Sequence, residues 1–179
     1  IAAGLILLLV PLARWGREEL AHRRLLQQAE VPTAASRPPP VEPAPAAEPA
    51  LTIEIPSLDY HWVIQPDIGN EELDRGPGHY PQTPLPGEPG NAAISGHRTI
   101  GGRPAYFYRL DELAPGDLIH IHREGKTYTF AVERSFLTVP TDLSVLAPTP
   151  HPALTLTTCD PPGSDVMRLI VQARLVEGG

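Results

Sequence analysis

The sequence has very little cysteine and very little lysine. Cys159 is the only cysteine among 179 residues, and Lys126 is the only lysine beside 13 arginines. A single thiol excludes an intramolecular disulfide and a zinc site built on several cysteines. The net charge of −7 argues against a nucleic-acid-binding surface, which needs an excess of positive charge. The sequence also lacks a glycine-rich loop of the kind that cradles phosphates.

The N-terminal apolar run, residues 1–13, is shorter than the roughly 20 residues that span a bilayer as a helix. We interpret residues 1–30 as part of a transmembrane signal-anchor with a juxtamembrane helix. Because the chain begins with Ile1, we expect the anchor to start before it. A cleaved signal peptide or a buried helix is the alternative. The arginines after the run favour the cytoplasmic side, so charge alone does not give an outward orientation.

Proline, in contrast, is abundant, with 23 residues, and many of them fall within residues 31–50. This Pro/Ala-rich segment has few large apolar side chains, so we predict a semi-rigid linker. From residue 51 to residue 179 the sequence consists of short segments in which apolar and polar residues alternate, such as Asp117–His122 and Thr127–Phe136. Roughly eight short strands with turn residues between them predict an all-β domain with short helices, either a sandwich or a small closed barrel.

The lone thiol ends one of these strands. The strand Leu154–Cys159 is followed by a Pro/Gly loop, and a second strand opens at Arg168. On a pleated strand Thr155, Thr157 and Cys159 share a polar face, while the leucines form a core face. If the two strands form a hairpin, Arg168 lies beside Cys159, where a guanidinium favours thiolate or stabilises an oxyanion. The alternative is an inert buried thiol, and a nucleophile also needs a histidine from elsewhere.

Among seven histidines, His97 has the most distinctive context. It follows a short apolar strand and is preceded by Gly96, which lets the backbone pass close to another element. The alternative for any single histidine is a structural or solvent-facing residue. His120 and His122 share one strand face, as a metal-binding pair would, but no acidic or cysteine ligand completes the set. We therefore predict neither a metal site nor a cofactor.

Three segments resemble motifs of the sortase family. Asn91–Arg98 (NAAISGHR) resembles its histidine motif, Thr155–Cys159 (TLTTC) its cysteine motif and Arg168–Val171 its arginine strand. Their order and separations agree with the family over residues 51–176, and neighbouring stretches resemble its class D and class E branches. The resemblance implies an eight-stranded, sortase-type closed β-barrel behind a membrane anchor. It also implies catalytic roles for His97, Cys159 and Arg168.

By the same resemblance, the expected activity is that of a cysteine transpeptidase. Sortases cleave an LPxTG-like C-terminal sorting signal through a thioester and transfer the protein to an amine of a peptidoglycan precursor or a pilin lysine. The implied partners are secreted proteins with LPxTG-like or LAxTG-like signals. The implied location is the cell membrane, with a single-pass anchor and the catalytic domain outside. The class, the preferred signal and the acceptor amine are left open.

The loop from Thr138 to Pro150 is predicted to form a wall of the groove for the sorting signal. The residues assigned to substrate binding are Ser95, Thr157, Thr158, Val139, Leu143, Val145 and Leu146. The apolar members either hold the first residue of the signal or pack under the loop. Asp142 is the only acidic residue of this loop, so no calcium site is predicted. The alternative function is a non-catalytic, membrane-tethered β-domain that binds a peptide or glycan, with Cys159 inert.

Overall fold

The computed structural model describes residues 50–178 and is mostly β. Eight strands form one curled sheet and two form a small hairpin, so the predicted all-β class is confirmed. The predicted anchor over residues 1–30 lies outside the described residues, as does all of the predicted linker except Ala50. Within residues 50–178, no helix is both long enough and apolar enough to cross a membrane. The anchor, the linker and their boundaries stay predictions.

The strands are β1 (Thr52–Ile55), β2 (Tyr60–Val63), β3 (Gly78–His79), β4 (Asn91–Ser95), β5 (Thr99–Ile100), β6 (Arg103–Pro104), β7 (Leu118–Arg123), β8 (Lys126–Thr138), β9 (Ala153–Asp160) and β10 (Met167–Gly178). The one α-helix of this region, α1, covers Asn70–Leu73, and 3-10 turns cover Pro56–Leu58, Leu110–Glu112 and Leu143–Leu146.

The main sheet has the strand order β2-β1-β7-β8-β10-β9-β4-β3. Neighbouring strands are antiparallel except β4 and β9, which are parallel. The two edges of the sheet meet at an isolated parallel bridge between Gln65, just after β2, and Gly78 in β3. Gln65 N donates to Pro77 O over 2.6 Å, and His79 N donates to Gln65 O over 2.9 Å. The sheet is therefore a curled half-barrel whose edges touch at one point, whereas the prediction was a closed barrel.

The inner face of the sheet follows the alternation of the strands. Ile119 and Ile121 of β7 are fully buried, and so are Leu154 and Leu156 of β9. They join one apolar cluster contributed by β1, β4, β7, β8, β9 and β10. Burying each such side chain stabilises the fold by about 1.5–3 kcal/mol. The predicted core face of the Leu154–Cys159 strand is confirmed.

The opposite face of β9 is more covered than its polar composition predicts. Thr155 and Thr157 are only 1% and 4% exposed. The loop between β8 and β9 covers them, because its Val145 carbonyl oxygen lies 3.4 Å from the Thr155 hydroxyl. Towards the C-terminal end of the strand this face opens to solvent, where Cys159 is half-buried. The nucleophile candidate therefore lies at the mouth of a covered groove.

Candidate active site

Strands β9 and β10 form the hairpin that the sequence predicts. Arg168 is the direct antiparallel partner of Cys159, and Ile170 is the partner of Thr157. Directly opposed residues of an antiparallel pair project from the same face of the sheet. Cys159 and Arg168 therefore project from one face of the hairpin, next to the loop that joins its two strands.

The parallel pairing of β4 with β9 brings in the histidine. Ser95 lies opposite Thr157, and Gly96 then makes two hydrogen bonds to β9. Gly96 N donates to Thr157 O over 3.1 Å, and the Thr158 hydroxyl donates to Gly96 O over 2.7 Å. His97, the next residue, is thereby placed beside the end of the nucleophile strand.

His97 and Cys159 line the same pocket, which has a volume of about 350 Å³. The loop that joins β9 to β10 forms another wall, through Gly163, Ser164 and Asp165. This pocket is open to solvent, so both the thiol and the imidazole can meet a substrate. Of the predicted catalytic residues, Arg168 does not line this pocket but lines a second, neighbouring one.

Gly96 is required by close packing. A Cβ atom at this position would lie 2.6 Å from the ring of Phe107, which is fully buried. Phe107 N also donates to His97 O over 3.0 Å. The predicted close approach of the Gly96 backbone to another element is confirmed, and the element is the buried Phe107 ring.

An ion-pair cluster around Arg98 ties the histidine segment to the nucleophile strand. The Arg98 guanidinium is 4% exposed and contacts the carboxylates of Asp160, directly after Cys159, and Asp111, the latter over 2.9 Å. Its Nε donates to the carbonyl oxygen of Tyr108 over 3.3 Å. The motif analysis missed this cluster, although Arg98 and Asp160 are the immediate neighbours of His97 and Cys159. The opposite charges of Arg98 and Asp160 were the sequence signal that could have indicated this contact.

The His97 ring also has a carboxylate partner. Its Nε2 lies 3.5 Å from Asp74 Oδ1, at the end of α1. Tyr106 donates a hydrogen bond from its hydroxyl to Asp74 O over 2.9 Å, which fixes this end of the helix. Asp74 is largely exposed, so the pair is worth little energetically, but the contact orients the ring.

Arg168 lines a narrow pocket of about 50 Å³. Its Nη1 donates to the carbonyl oxygens of Asp165 over 3.0 Å and Met167 over 3.1 Å, so the side chain is held in place. Five of the residues assigned to substrate binding line the same pocket: Thr157, Val139, Leu143, Val145 and Leu146. Leu143 is 71% exposed and Val139 51%, so apolar surface is available at its rim.

The other two assigned residues lie elsewhere. Ser95 pairs with Thr157 on the groove face but does not line the pocket. Thr158 is buried on the core face, where its hydroxyl bonds Gly96 O. This placement favours a role for Thr158 in positioning the strand over direct substrate contact.

The wall of the narrow pocket is a capped turn. Asp142 caps the 3-10 turn Leu143–Leu146, accepting hydrogen bonds from Ser144 N over 3.1 Å, Ser144 Oγ over 2.5 Å and Thr138 Oγ1 over 2.6 Å. Hydrogen bonds from the Ser144 and Thr138 hydroxyls and from Ser144 N hold the pKa of Asp142 below its usual value. Both oxygens of the Asp142 carboxylate are thus used in hydrogen bonds that stabilise the turn.

The two strand histidines bond to their neighbours. His120 Nδ1 is 3.1 Å from the Thr129 hydroxyl, and His122 Nδ1 is 2.9 Å from the Thr127 hydroxyl. His122 Nε2 lies 3.3 Å from Glu54 Oε2. Over residues 50–178, no three potential metal ligands gather at one point.

The comparison with known families agrees with this geometry. A model of the sortase domain matches residues 53–176, which is more than half of the chain. This chain belongs to the sortase family. The matched segment nearly coincides with the region, residues 51–176, that the motifs indicated. Sortases are a family of cysteine transpeptidases, and Cys159, the only cysteine of this chain, lies within the matched segment.

Two relatives are similar in sequence. Sortase SrtE1 of Streptomyces coelicolor is 33% identical over 141 residues, which are 70% of this chain and 40% of that protein. Sortase D of Bacillus subtilis is 28% identical over 110 residues, 61% of this chain and 53% of that one. The chain therefore spans about half the length of these relatives or less.

Solved sortase structures are similar in fold. Sortase E from Streptomyces avermitilis is 33% identical with a TM-score of 0.64, over 74% of this chain and 90% of that one. A sortase D5 transpeptidase from Clostridium perfringens is 30% identical with a TM-score of 0.65, over 72% and 79%. Sortase A from Corynebacterium diphtheriae is 31% identical with a TM-score of 0.68, over 73% and 62%. The sortase fold is confirmed, and the likeness extends over several classes.

Proposed function

We propose that this sortase is a cysteine transpeptidase that cleaves an LPxTG-like C-terminal sorting signal and transfers the protein to an amine. The observation that carries the proposal is the pairing of Arg168 with Cys159 across β9 and β10. This register supports a permanent cation on the face of the hairpin that carries the thiol. Arg168 lines the narrow pocket, and His97 lines the wider pocket together with Cys159. A module that only binds peptides has no need of this arrangement.

In the first half-reaction the Cys159 thiolate attacks the carbonyl carbon of the scissile bond. A carbon–sulfur bond forms, and the electron pair of the carbonyl moves to its oxygen. The guanidinium of Arg168 stabilises this oxyanion, since it remains charged at any working pH. His97, as imidazolium, gives its proton to the departing amine, the carbon–nitrogen bond breaks and a thioester remains.

In the second half-reaction an acceptor amine attacks the thioester carbonyl. The neutral imidazole of His97 takes the proton of this amine, and the carbon–sulfur bond breaks to return the Cys159 thiolate. Arg168 again stabilises the intermediate. The acceptor is an amine of a peptidoglycan precursor or a pilin lysine, and the chemistry is the same for both.

The two pockets divide the substrate between them. The apolar residues of the signal lie in the narrow pocket at Arg168, against Val139 and Leu143. The leaving peptide, and later the acceptor amine, occupy the wider pocket at His97.

We also propose that the domain works outside the cell membrane. The anchor predicted over residues 1–30 and the Pro/Ala-rich linker over residues 31–50 would hold it at a distance from the bilayer. The substrates are secreted proteins with LPxTG-like or LAxTG-like signals. Protease treatment of intact cells that express the full chain tests the location: the domain should be degraded while a cytoplasmic marker survives.

The activity is tested by mixing the full chain with LPxTG-like and LAxTG-like peptides, with and without a small primary amine. Intact-protein mass spectrometry should show an acyl adduct, and the amine should discharge it into a new amide. Cys159→Ala should keep the melting curve and form no adduct. If the unaltered chain binds either peptide but never forms an adduct, the enzyme proposal fails and the binding module takes its place.

A further inference from the structure

A buried asparagine links three segments that are far apart in the chain. Asn91, the first residue of β4, is 2% exposed. Its side-chain amide nitrogen donates to Val145 O over 2.9 Å and to Ala147 O over 3.3 Å. Its amide oxygen accepts a hydrogen bond from the Thr155 hydroxyl over 2.8 Å. Both functional atoms of the side chain are thus used.

The two carbonyl groups belong to the wall of the narrow pocket. Val145 lies in the 3-10 turn Leu143–Leu146, and Ala147 follows that turn. Asp142 caps the start of the turn from within the same loop, whereas Asn91 is bonded to its end from the sheet. Of the side-chain hydrogen bonds to the turn in residues 50–178, those from Asn91 come from the sheet. The Thr155 hydroxyl, whose proton goes to Asn91, lies 3.4 Å from Val145 O.

Space is available on both sides of this turn. The narrow pocket with Arg168 lies on one side, and a cavity of about 350 Å³ lined by Asn91, Ala147 and Thr155 lies on the other. Within the turn Val145 is buried, so packing contributes on its side, but the cavity leaves the end of the turn at Ala147 without dense packing. The hydrogen bonds from Asn91 reach Val145 O and Ala147 O at this end.

Asn91 is remote from the reacting groups. It pairs with Ala153, six residues before Cys159 on β9. At a rise of about 3.3 Å per residue this is a separation of about 20 Å. A change at Asn91 consequently alters the pocket wall without touching the pairing of Cys159 with Arg168.

We propose that Asn91 is a positioning residue that sets the width of the sorting-signal pocket by fixing the turn Leu143–Leu146. This inference rests on the proposed function, because it assumes that the signal enters this pocket. Asn91 does not touch the substrate and acts through Val145 and Leu146. Its loss should weaken binding of the signal and leave the chemical steps unchanged.

The test is Asn91→Asp in the full chain, which keeps the shape and the acceptor for Thr155. It replaces the donor by an oxygen that faces two carbonyl oxygens. KM for a sorting-signal peptide should rise about tenfold while kcat stays within about twofold, the size expected when two buried hydrogen bonds are lost. Thr155→Val should act in the same direction, by about threefold, and remains available if Asn91→Asp does not fold. Asn70→Asp, the same charge change at an exposed asparagine, is the matched control.

Amide hydrogen exchange supplies a second readout that does not need turnover. Peptides covering Leu143–Ala147 should exchange faster in Asn91→Asp than in the unaltered chain, and those covering β10 should not. The rate of Cys159 alkylation by a small neutral reagent should be unchanged. A fall in kcat with unchanged KM, or unchanged exchange in the turn, overturns the inference. If no peptide is turned over by the unaltered chain, the proposed function fails, and hydrogen exchange still decides whether Asn91 holds the turn.

Discussion

The Arg98 cluster gives a sharp prediction about how the site is held together. Arg98 is almost fully buried, while its partners differ in exposure: the side chain of Asp160 is 21% exposed and that of Asp111 is 53% exposed. A guanidinium stays charged when buried, so it depends on these carboxylates and on Tyr108 O. Asp160 adjoins Cys159, and Arg98 adjoins His97. Loss of this contact should therefore loosen the active site as well as the fold.

The expected magnitudes follow from burial. Breaking a buried ion pair by removing one partner costs about 3–5 kcal/mol, and Arg98→Met should fall near the lower end because Asp160 can regain water. Asp160→Asn leaves Arg98 paired with Asp111 and should cost about 1.5–3 kcal/mol, the value of a hydrogen bond to a charged group. Asp111→Asn removes a carboxylate that is itself 53% exposed and leaves Arg98 paired with Asp160, so it should cost less than Asp160→Asn, about 1 kcal/mol.

Urea unfolding measures these costs. An equal slope of the unfolding free energy against urea concentration in all variants shows that the unfolded state is unchanged. The double variant Arg98→Met with Asp160→Asn should cost less than the sum of the two single changes, since both remove the same contact. The single changes at Arg98 and Asp160 should also lower kcat by about tenfold or more, because misplaced reacting groups are slow. Additive costs, or an Asp111→Asn cost equal to that of Asp160→Asn, would refute the reasoning.

Regular patterns in the sequence identified the parts of the fold that have local causes. Strand β7 and the first half of β8 carry apolar residues at every second position, because those side chains are buried in the core. The hairpin of β9 and β10 was predictable because a Pro/Gly loop separates two such strands. That hairpin alone placed Arg168 opposite Cys159, and no distant contact was needed to predict it.

Elements that depend on distant partners were not predictable in this way. The strands β3, β5 and β6 have two residues each, too few to show a period. The parallel pairing of β4 with β9 has no local signal, since both strands are buried on both faces. The polar face of β9 was expected to be open because a strand pattern does not show which loop will fold over it.

The same reason explains the two polar residues that the motifs did not reveal. A charged side chain is ordinarily expected at the surface, so the burial of Arg98 follows only from carboxylates brought near it by the fold. In the sequence, Asn91 is simply the first residue of an apolar strand, and its hydrogen-bond partners lie more than 50 residues further along the chain. Side chains that contact the substrate could be proposed from the sequence, whereas those that hold them in place required the tertiary structure.

Two further changes test the site itself. Arg168→Lys should lower kcat by about 100-fold or more without changing the melting temperature. A lysine ammonium cannot reproduce the planar set of N–H donors that a guanidinium presents to the oxyanion. Near-normal turnover would remove Arg168 from the mechanism. Gly96→Ala should cost about 1–3 kcal/mol in urea unfolding, because the new methyl group meets the buried ring of Phe107 at 2.6 Å. Gly69→Ala is its control, since the nearest atom there is 3.9 Å away. Gly96→Ala should also lower kcat, because Phe107 N bonds His97 O and a displaced ring moves the histidine with it. If the two alanine variants are equally stable and equally active, close packing at Gly96 does not position His97.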